Sequence, residues 1–179
     1  MTREKAIDYE NQLKDKLRQT ATELNLKEDI GNSLAEHYIT IFCKEEKMIF
    51  DGENIRIDFK EALIAGLKSA ASTASADDVF SYIQLLIASA VLTGCAADGE
   101  YDLPEAYVVY CLHTKEAYDK GIREEQFVRE MRSWYRRKED KVPNGDSIMR
   151  AVGNLNAMKI VDIEDGKLYL KKHLWGKVM

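Results

Sequence analysis

The sequence predicts a mainly α chain of about seven helices with two small β-hairpins. Three observations carry this. Apolar residues recur at helical spacing over most of the 179 residues, and only two prolines interrupt them. The apolar period drops to two in only two short stretches, each centred on an Asp-Gly pair. Asp78–Ala97, DVFSYIQLLIASAVLTGCAA, is apolar nearly all round: Val79, Ile83, Leu86, Ile87, Ala90 and Val91 form one stripe, and Phe80, Leu85, Ala88 and Leu92 fill most of the rest. Such a helix is buried on most sides, so the remaining elements are expected to pack around it.

The first helix is expected from about Thr2 to Leu24, with Ala6, Ile7, Leu13, Leu17, Ala21 and Leu24 on its apolar face. After a break at Asn25-Leu26-Lys27, a second helix is expected from about Glu28 to Lys47, with Ile30, Leu34, Tyr38, Ile41 and Phe42 on one face and His37 beside it. The period then becomes two. Met48 and Phe50, then Ile55, Ile57 and Phe59, alternate with polar residues around Asp51-Gly52, which predicts a hairpin at 47–58. Asp58 and Glu61 read as a capping box opening the third helix, which Ser72–Ser75 break. Ser75 with Asp78 opens the central helix, which Asp98-Gly99-Glu100-Tyr101 stop.

Asp102 is expected to cap the fifth helix, with Pro104 tolerated in its first turn and Glu105 completing the box. That helix carries Tyr107, Val108, Cys111, Leu112 and Tyr118. Gly121 ends a connection. The sixth helix, about 122–138, directs Phe127, Val128, Met131, Trp134 and Tyr135 inward and most of its arginines outward. Lys138–Asp146, with Pro143, Asn144 and Gly145, reads as a loop. The seventh helix follows from Asp146 or Ser147 to about Asn156. In the last hairpin Val161 and Ile163 alternate inward, Glu164-Asp165-Gly166-Lys167 turns, and Leu168 and Leu170 return. Gly176–Met179 is expected to fray.

Two domains are read from this order: 1–75, helices plus hairpin, and 76–173, the helical core with its C-terminal unit, or else one continuous domain. Hydrophobic content of 45% against 32% charged residues suffices for a core and argues against disorder. The start, MTREKAIDYE, is too charged for a secretory signal. The longest weakly polar run, Ile83–Ala97, is too short to span a bilayer. Three widely spaced cysteines, 43, 95 and 111, fit buried thiols in a reducing cytoplasm.

The net charge of −5 is unevenly spread: residues 1–119 hold 12 Lys and Arg against 22 Asp and Glu, residues 120–179 hold 14 against 9. Such asymmetry points to a divided surface, although drift of solvated faces produces the same pattern. The basic part is concentrated in Trp134-Tyr135-Arg136-Arg137-Lys138. Together with Arg129, Arg132, Lys167, Lys171 and Lys172 it forms a candidate strip for backbone phosphates. Helical spacing puts Trp134 and Tyr135 on the core stripe with Phe127 and Met131, so the bases, not the aromatics, are the open question.

Gly31-Asn32-Ser33-Leu34 leads into the hairpin at Asp51-Gly52, and Gly145-Asp146-Ser147-Ile148 leads into the hairpin at Asp165-Gly166. Helix-helix-hairpin is the outline of a winged helix, and residues 103–173 resemble winged-helix domains in this layout. The resemblance implies that the C-terminal hairpin is a wing and that the seventh helix approaches a DNA major groove with Arg150, Asn154 and Asn156. The layout is also similar to tandem winged helices found as accessory subunits of chromosome-structuring ATPase complexes.

Ala97-Asp98-Gly99-Glu100, followed by Glu105, resembles the Ala-Asp-Gly-Glu turn of the tellurite-resistance TerB-like helical family over residues 78–118. The resemblance implies a divalent cation held by Asp98, Glu100 and Glu105, as carboxylate oxygens hold hard cations. Capping alone also accounts for acids at such a turn. It is not an EF-hand loop: the sixth residue from Asp98 is Leu103 and the twelfth is Val109.

Cys111 and His113 lie two residues apart on a helix and point to different faces, which reads as a buried thiol and a surface imidazole. No zinc spacing, Gly-rich phosphate loop or Gly-x-Ser-x-Gly elbow is present. Enzyme function is disfavoured, and an unrecognised carboxylate site is the remaining route to one. The expected function is a non-catalytic binding module, an accessory subunit of a larger complex, acting through a basic C-terminal winged-helix-like face and an acidic N-terminal part. Its partner is another protein subunit or DNA, without a membrane, with a homo-oligomer open and no cofactor. The alternative is a TerB-like metal-binding stress or sensing protein using the turn 98–105.

Overall fold

The structure, a computed structural model, describes residues 1–43, 53–73 and 76–178. The chain is mainly α, with seven helices and two small antiparallel sheets among these residues. It divides into two units, Met1–Ala97 with Lys172–Met179, and Asp98–Lys171.

The first unit begins with α1 (Arg3–Glu23), whose N-terminus is capped by the Thr2 hydroxyl. Ala6, Leu13, Leu17 and Ala21 are buried as expected, but Ile7 is exposed, one position round the helix from Ala6 and off that stripe. Asn25 takes a left-handed φ of 59° and turns the chain into α2 (Glu28–Tyr38). Gly31 brings α2 against α1: a Cβ there would stand 2.7 Å from the Leu17 carbonyl oxygen.

The helix α2 ends nine residues before its expected end at Lys47. Ile39-Thr40-Ile41 is a β-branched run and forms β1 (Ile39–Ile41), paired antiparallel with β2 (Ile55–Ile57). The expected first strand, with Met48 and Phe50, and the Asp51-Gly52 turn lie outside the described residues. Helices α3 (Phe59–Thr73) and α4 (Ala76–Leu92) follow. The helix α4 is the buried rod the composition predicts, with Phe80, Ile83 and the whole run Leu85–Ala90 buried. It stops at Leu92 rather than Ala97. Gly94 adopts φ 69°, and the Gly94 and Ala96 N–H groups donate to Val91 and Ala90 carbonyls, closing the helix end.

The third strand of this sheet is β6 (Leu174–Gly176), giving the order β1-β2-β6. Gly176–Val178, expected to fray, are therefore docked, and Met179 lies outside the described residues. The Asn54 amide donates to the Val178 carbonyl at 3.0 Å and accepts from its N–H at 2.8 Å, and Gly176 lies against Cys95, which leaves no room for a Cβ.

The second unit holds α5 (Leu103–Thr114), β3 (Ile122–Arg123), α6 (Glu124–Lys138), α7 (Gly145–Ala157), β4 (Val161–Glu164) and β5 (Lys167–Leu170). Its core is Leu112, Phe127, Met131, Val152, Leu155 and Leu168, all essentially inaccessible. Tyr118 lies beyond α5, in a turn where Glu116 has φ 53°. The helix α7 is capped by the Asn144 carboxamide, which accepts from the Ser147 N–H at 2.8 Å, so the cap sits two residues before Asp146. The β4–β5 hairpin turns at Asp165 and Gly166, with φ 51° and 72°, as a two-residue turn requires. Val161 is buried, but Ile163 is exposed, since it sits toward the tip of an edge strand. The short β3 pairs with β5, giving the order β3-β5-β4.

The boundary between units falls at 97/98, not 75/76. The helix α4 packs against α1 and α3, and β6, after Lys172, returns to the first unit's sheet. Counted by unit, the charge asymmetry nearly vanishes: 13 Lys and Arg face 16 Asp and Glu in the first, and 13 face 15 in the second.

Candidate functional site

The basic residues singled out in the sequence lie on several elements of the two units. Arg129, Arg132 and Arg136 fall at i, i+3 and i+7 of α6, exposed and turned away from buried Phe127, Met131 and Tyr135. Arg137 and Lys138 extend the same helix. Arg137 donates to the Ser133 hydroxyl at 3.0 Å, and the Lys138 ammonium lies 5.4 Å from the Trp134 ring centre. Five cations on three turns make a local positive surface, and those in the last turn also complement the negative end of the helix dipole.

The other bases are placed differently. Lys171 is paired with Asp162 at 3.5 Å, and Lys167 lies across the hairpin from Glu164. Lys172 belongs to the first unit, where its carbonyl accepts from the Lys60 N–H. Arg150 is exposed on α7, but the rest of that helix's exposed surface is Asp146, Ser147, Gly153 and Ala157. The wing tip is Glu164-Asp165-Gly166. The two elements that would enter and flank a DNA groove therefore carry little positive charge.

The aromatics behave as the helical spacing predicts. Tyr135 is buried and Trp134 half-buried. Trp134 packs against Tyr107 and Tyr135 at ring separations of 4.9 and 5.2 Å, and Tyr107 donates to Glu139 at 3.0 Å. They anchor α6 on α5 and fix the direction of its basic face.

The acidic turn is not a ligand set. Among the described residues no group of three or more His, Cys, Asp or Glu side chains is placed to hold a metal ion. Asp98, Glu100 and Glu105 form no such group. Asp102 sits at the N-cap position of α5 without a side-chain cap bond, so the expected capping box does not form. Glu105 instead points inward and is only 5% exposed. Its Oε1 accepts from the Asn154 amide at 3.3 Å, and the same amide donates to the Glu100 carbonyl at 2.7 Å. Its Oε2 is buried without a partner. Burial pushes the Glu105 carboxyl up from its ordinary value, its own backbone N–H and the Asn154 amide offset part of this, and Asp102 and Glu100 add to the rise. This buried acid was missed as such because a first-turn glutamate after Asp-x-x reads as a cap.

His113 is buried, not at the surface. The turn after α5 brings the Tyr118 hydroxyl onto its Nδ1, closing a contact that helix periodicity alone does not show. Cys111 is buried too, and burial pushes its thiol up to about 12, so it is not a thiolate at neutral pH. No nucleophile–base pair is assembled from these residues. No helix among the described residues is long and apolar enough to cross a membrane.

No protein family, curated protein or solved structure matches this chain. The functional reading therefore rests on the molecule's own geometry.

Proposed function

We propose that the chain is a non-catalytic binding module, an accessory subunit of a larger protein complex. Its second unit is a winged-helix-like module that meets an acidic partner surface through α6. The order α5, β3, α6, α7, β4, β5, with a hairpin after the last helix, supports the winged-helix reading. The single observation that carries the proposal is the exposed set Arg129, Arg132, Arg136 and Arg137, held on a helix whose other face is locked into the core. A protein partner is favoured over DNA because α7 and the wing tip lack the cations that phosphates require. Three free thiols fit a reducing cytoplasm as the place of action.

The test is co-purification of the intact chain from its source cells, with nuclease, at low and high salt. A protein partner that survives nuclease, and that an Arg129→Glu, Arg132→Glu, Arg136→Glu variant loses, supports the proposal. Tight binding of a DNA duplex that weakens steeply with salt, and that the same variant abolishes, overturns the protein-partner reading. A partner retained equally by the variant overturns the role of α6.

A further inference from the structure

The first unit contains a trough of about 580 Å³ between α2, α3 and α4. That volume lies within the range of built ligand sites. One wall is a single stripe of α2 and the turn before it: Leu26, Ile30, Leu34 and Tyr38, each four residues from the next. Ile30 and Tyr38 remain only half-buried, although both are large and apolar or aromatic. The facing side is made of small residues of α3, Ala65, Gly66 and Ser69, whose short side chains leave the trough open. Tyr82 of α4 closes the floor. Its hydroxyl donates to the Ala62 carbonyl at 2.9 Å, and its ring lies over Gly66, where a Cβ would stand 2.1 Å from a ring carbon. The floor is thus set before anything binds.

The shape and the charge point to one kind of occupant. The 11 residues of α2 form a wall roughly 16 Å long at 1.5 Å per residue, enough for about three turns of a second helix. Two carboxylates, Asp29 of α2 and Asp78 of α4, line the trough, against one cation, Lys27. Among the described residues neither carboxylate takes part in an ion pair. We propose that this trough docks a basic amphipathic helical segment of a partner protein, with apolar side chains at i, i+4 and i+7 facing the α2 stripe and Lys or Arg meeting Asp29 and Asp78. Helix-in-groove recognition has these requirements: an apolar floor, helical-turn spacing and charged rims that set orientation. This deepens the binding-module reading through residues of the first unit, none of them in α6.

The experiment uses the full-length chain and two labelled synthetic peptides of about 14 residues, long enough to cover the trough. Both carry leucines at helical spacing. One is flanked by lysines and the other by glutamates, and binding is read by fluorescence anisotropy. The lysine peptide is expected to bind at least about tenfold more tightly than the glutamate peptide. Asp29→Lys with Asp78→Lys, both exposed positions, reverses that preference, and Ala65→Trp, which fills the trough, abolishes binding of both. Equal binding of the two peptides, no binding of the lysine peptide at about 100 μM, or a preference unchanged by the charge reversal overturns the proposal. The charge reversal keeps the test decisive should Ala65→Trp fail to fold. The Arg129→Glu, Arg132→Glu, Arg136→Glu variant is expected to bind the lysine peptide like the wild type, so failure at the trough and failure at α6 are separable.

Discussion

Glu105→Gln tests the account of the second unit most directly. The substitution preserves size and shape. It keeps an oxygen for the Asn154 amide, 3.3 Å from Oε1, and removes a negative charge from a site that is 5% exposed, with one oxygen unpartnered. An unsatisfied buried polar group costs about 1–3 kcal/mol, and more when charged. The glutamine leaves its own amide hydrogens short of partners, which returns part of the gain. The expected outcome is a variant more stable than wild type by about 1 kcal/mol at pH 7, a rise of roughly 4–8 °C in melting temperature for a unit of this size.

The pH dependence has a definite sign. The folded-state carboxyl is raised above its unfolded value, so the folded unit binds the proton more tightly. The stability Glu105 contributes is fully present below the unfolded pKa, about 4.3, and is lost as pH rises through the higher folded value. Urea titrations of both proteins from pH 4 to 8 therefore converge at the acid end and diverge upward. A wild type as stable as the variant at pH 7, with no divergence, refutes the reasoning. Stabilisation of the wild type by added Mg²⁺ or Ca²⁺, absent in the variant, would refute it in a specific direction, toward a cation at the turn 98–105.

Three further outcomes are expected. Gly31→Ala places a Cβ 2.7 Å from the Leu17 carbonyl oxygen, backbone against backbone, and should cost about 1–3 kcal/mol in thermal melts of the first unit. Asn54→Ala removes both bonds to Val178, at 3.0 and 2.8 Å. It should cost about 1–2 kcal/mol and accelerate hydrogen exchange at the Val178 amide, an effect absent if the C-terminal strand frays in the wild type. Cys111, buried with its thiol pushed up to about 12, should resist an aromatic disulfide reagent at pH 7.5 until the chain is unfolded, while half-buried Cys43 reacts first.

Much of the helical framework is legible in the sequence, and particular residues show why. The helix α1 ends within one residue of its expected limit, because its hydrogen bonds run to neighbours four residues away and its apolar stripe repeats at that period. The Asp165-Gly166 turn is equally local, since two consecutive positive φ angles favour those residue types. The burial of α4 follows from a composition with no polar face. The candidate site was only partly legible. The arginines of α6 are recognisable from spacing as an outward face, whereas the trough lined by α2 is not, because its open side depends on small residues of α3, a separate helix further along the chain.

By itself, then, the sequence determined the fold class, the limits of α1, α3, α6 and α7 to within about two residues, the existence of the other three helices, the second hairpin and the outward face of α6. All of these rest on interactions within a turn or two of chain. Tertiary structure decided the rest. The strands β3 and β6 are two and three residues long and exist only because β5 and β2 accept them, at separations of more than 40 and 110 residues. The end of α2 at Tyr38 depends on the same remote pairing, since Ile39–Ile41 gain more from the β2 ladder than from another helical turn. Glu105 turns inward because Asn154, 49 residues on, is there to meet one of its oxygens. Lys172 parts from Lys171 because the chain crosses back to the first unit between them. A helix satisfies its backbone with its own neighbours and can be read locally. A strand, a buried acid or a unit boundary is satisfied by distant chain and is settled only when that chain arrives.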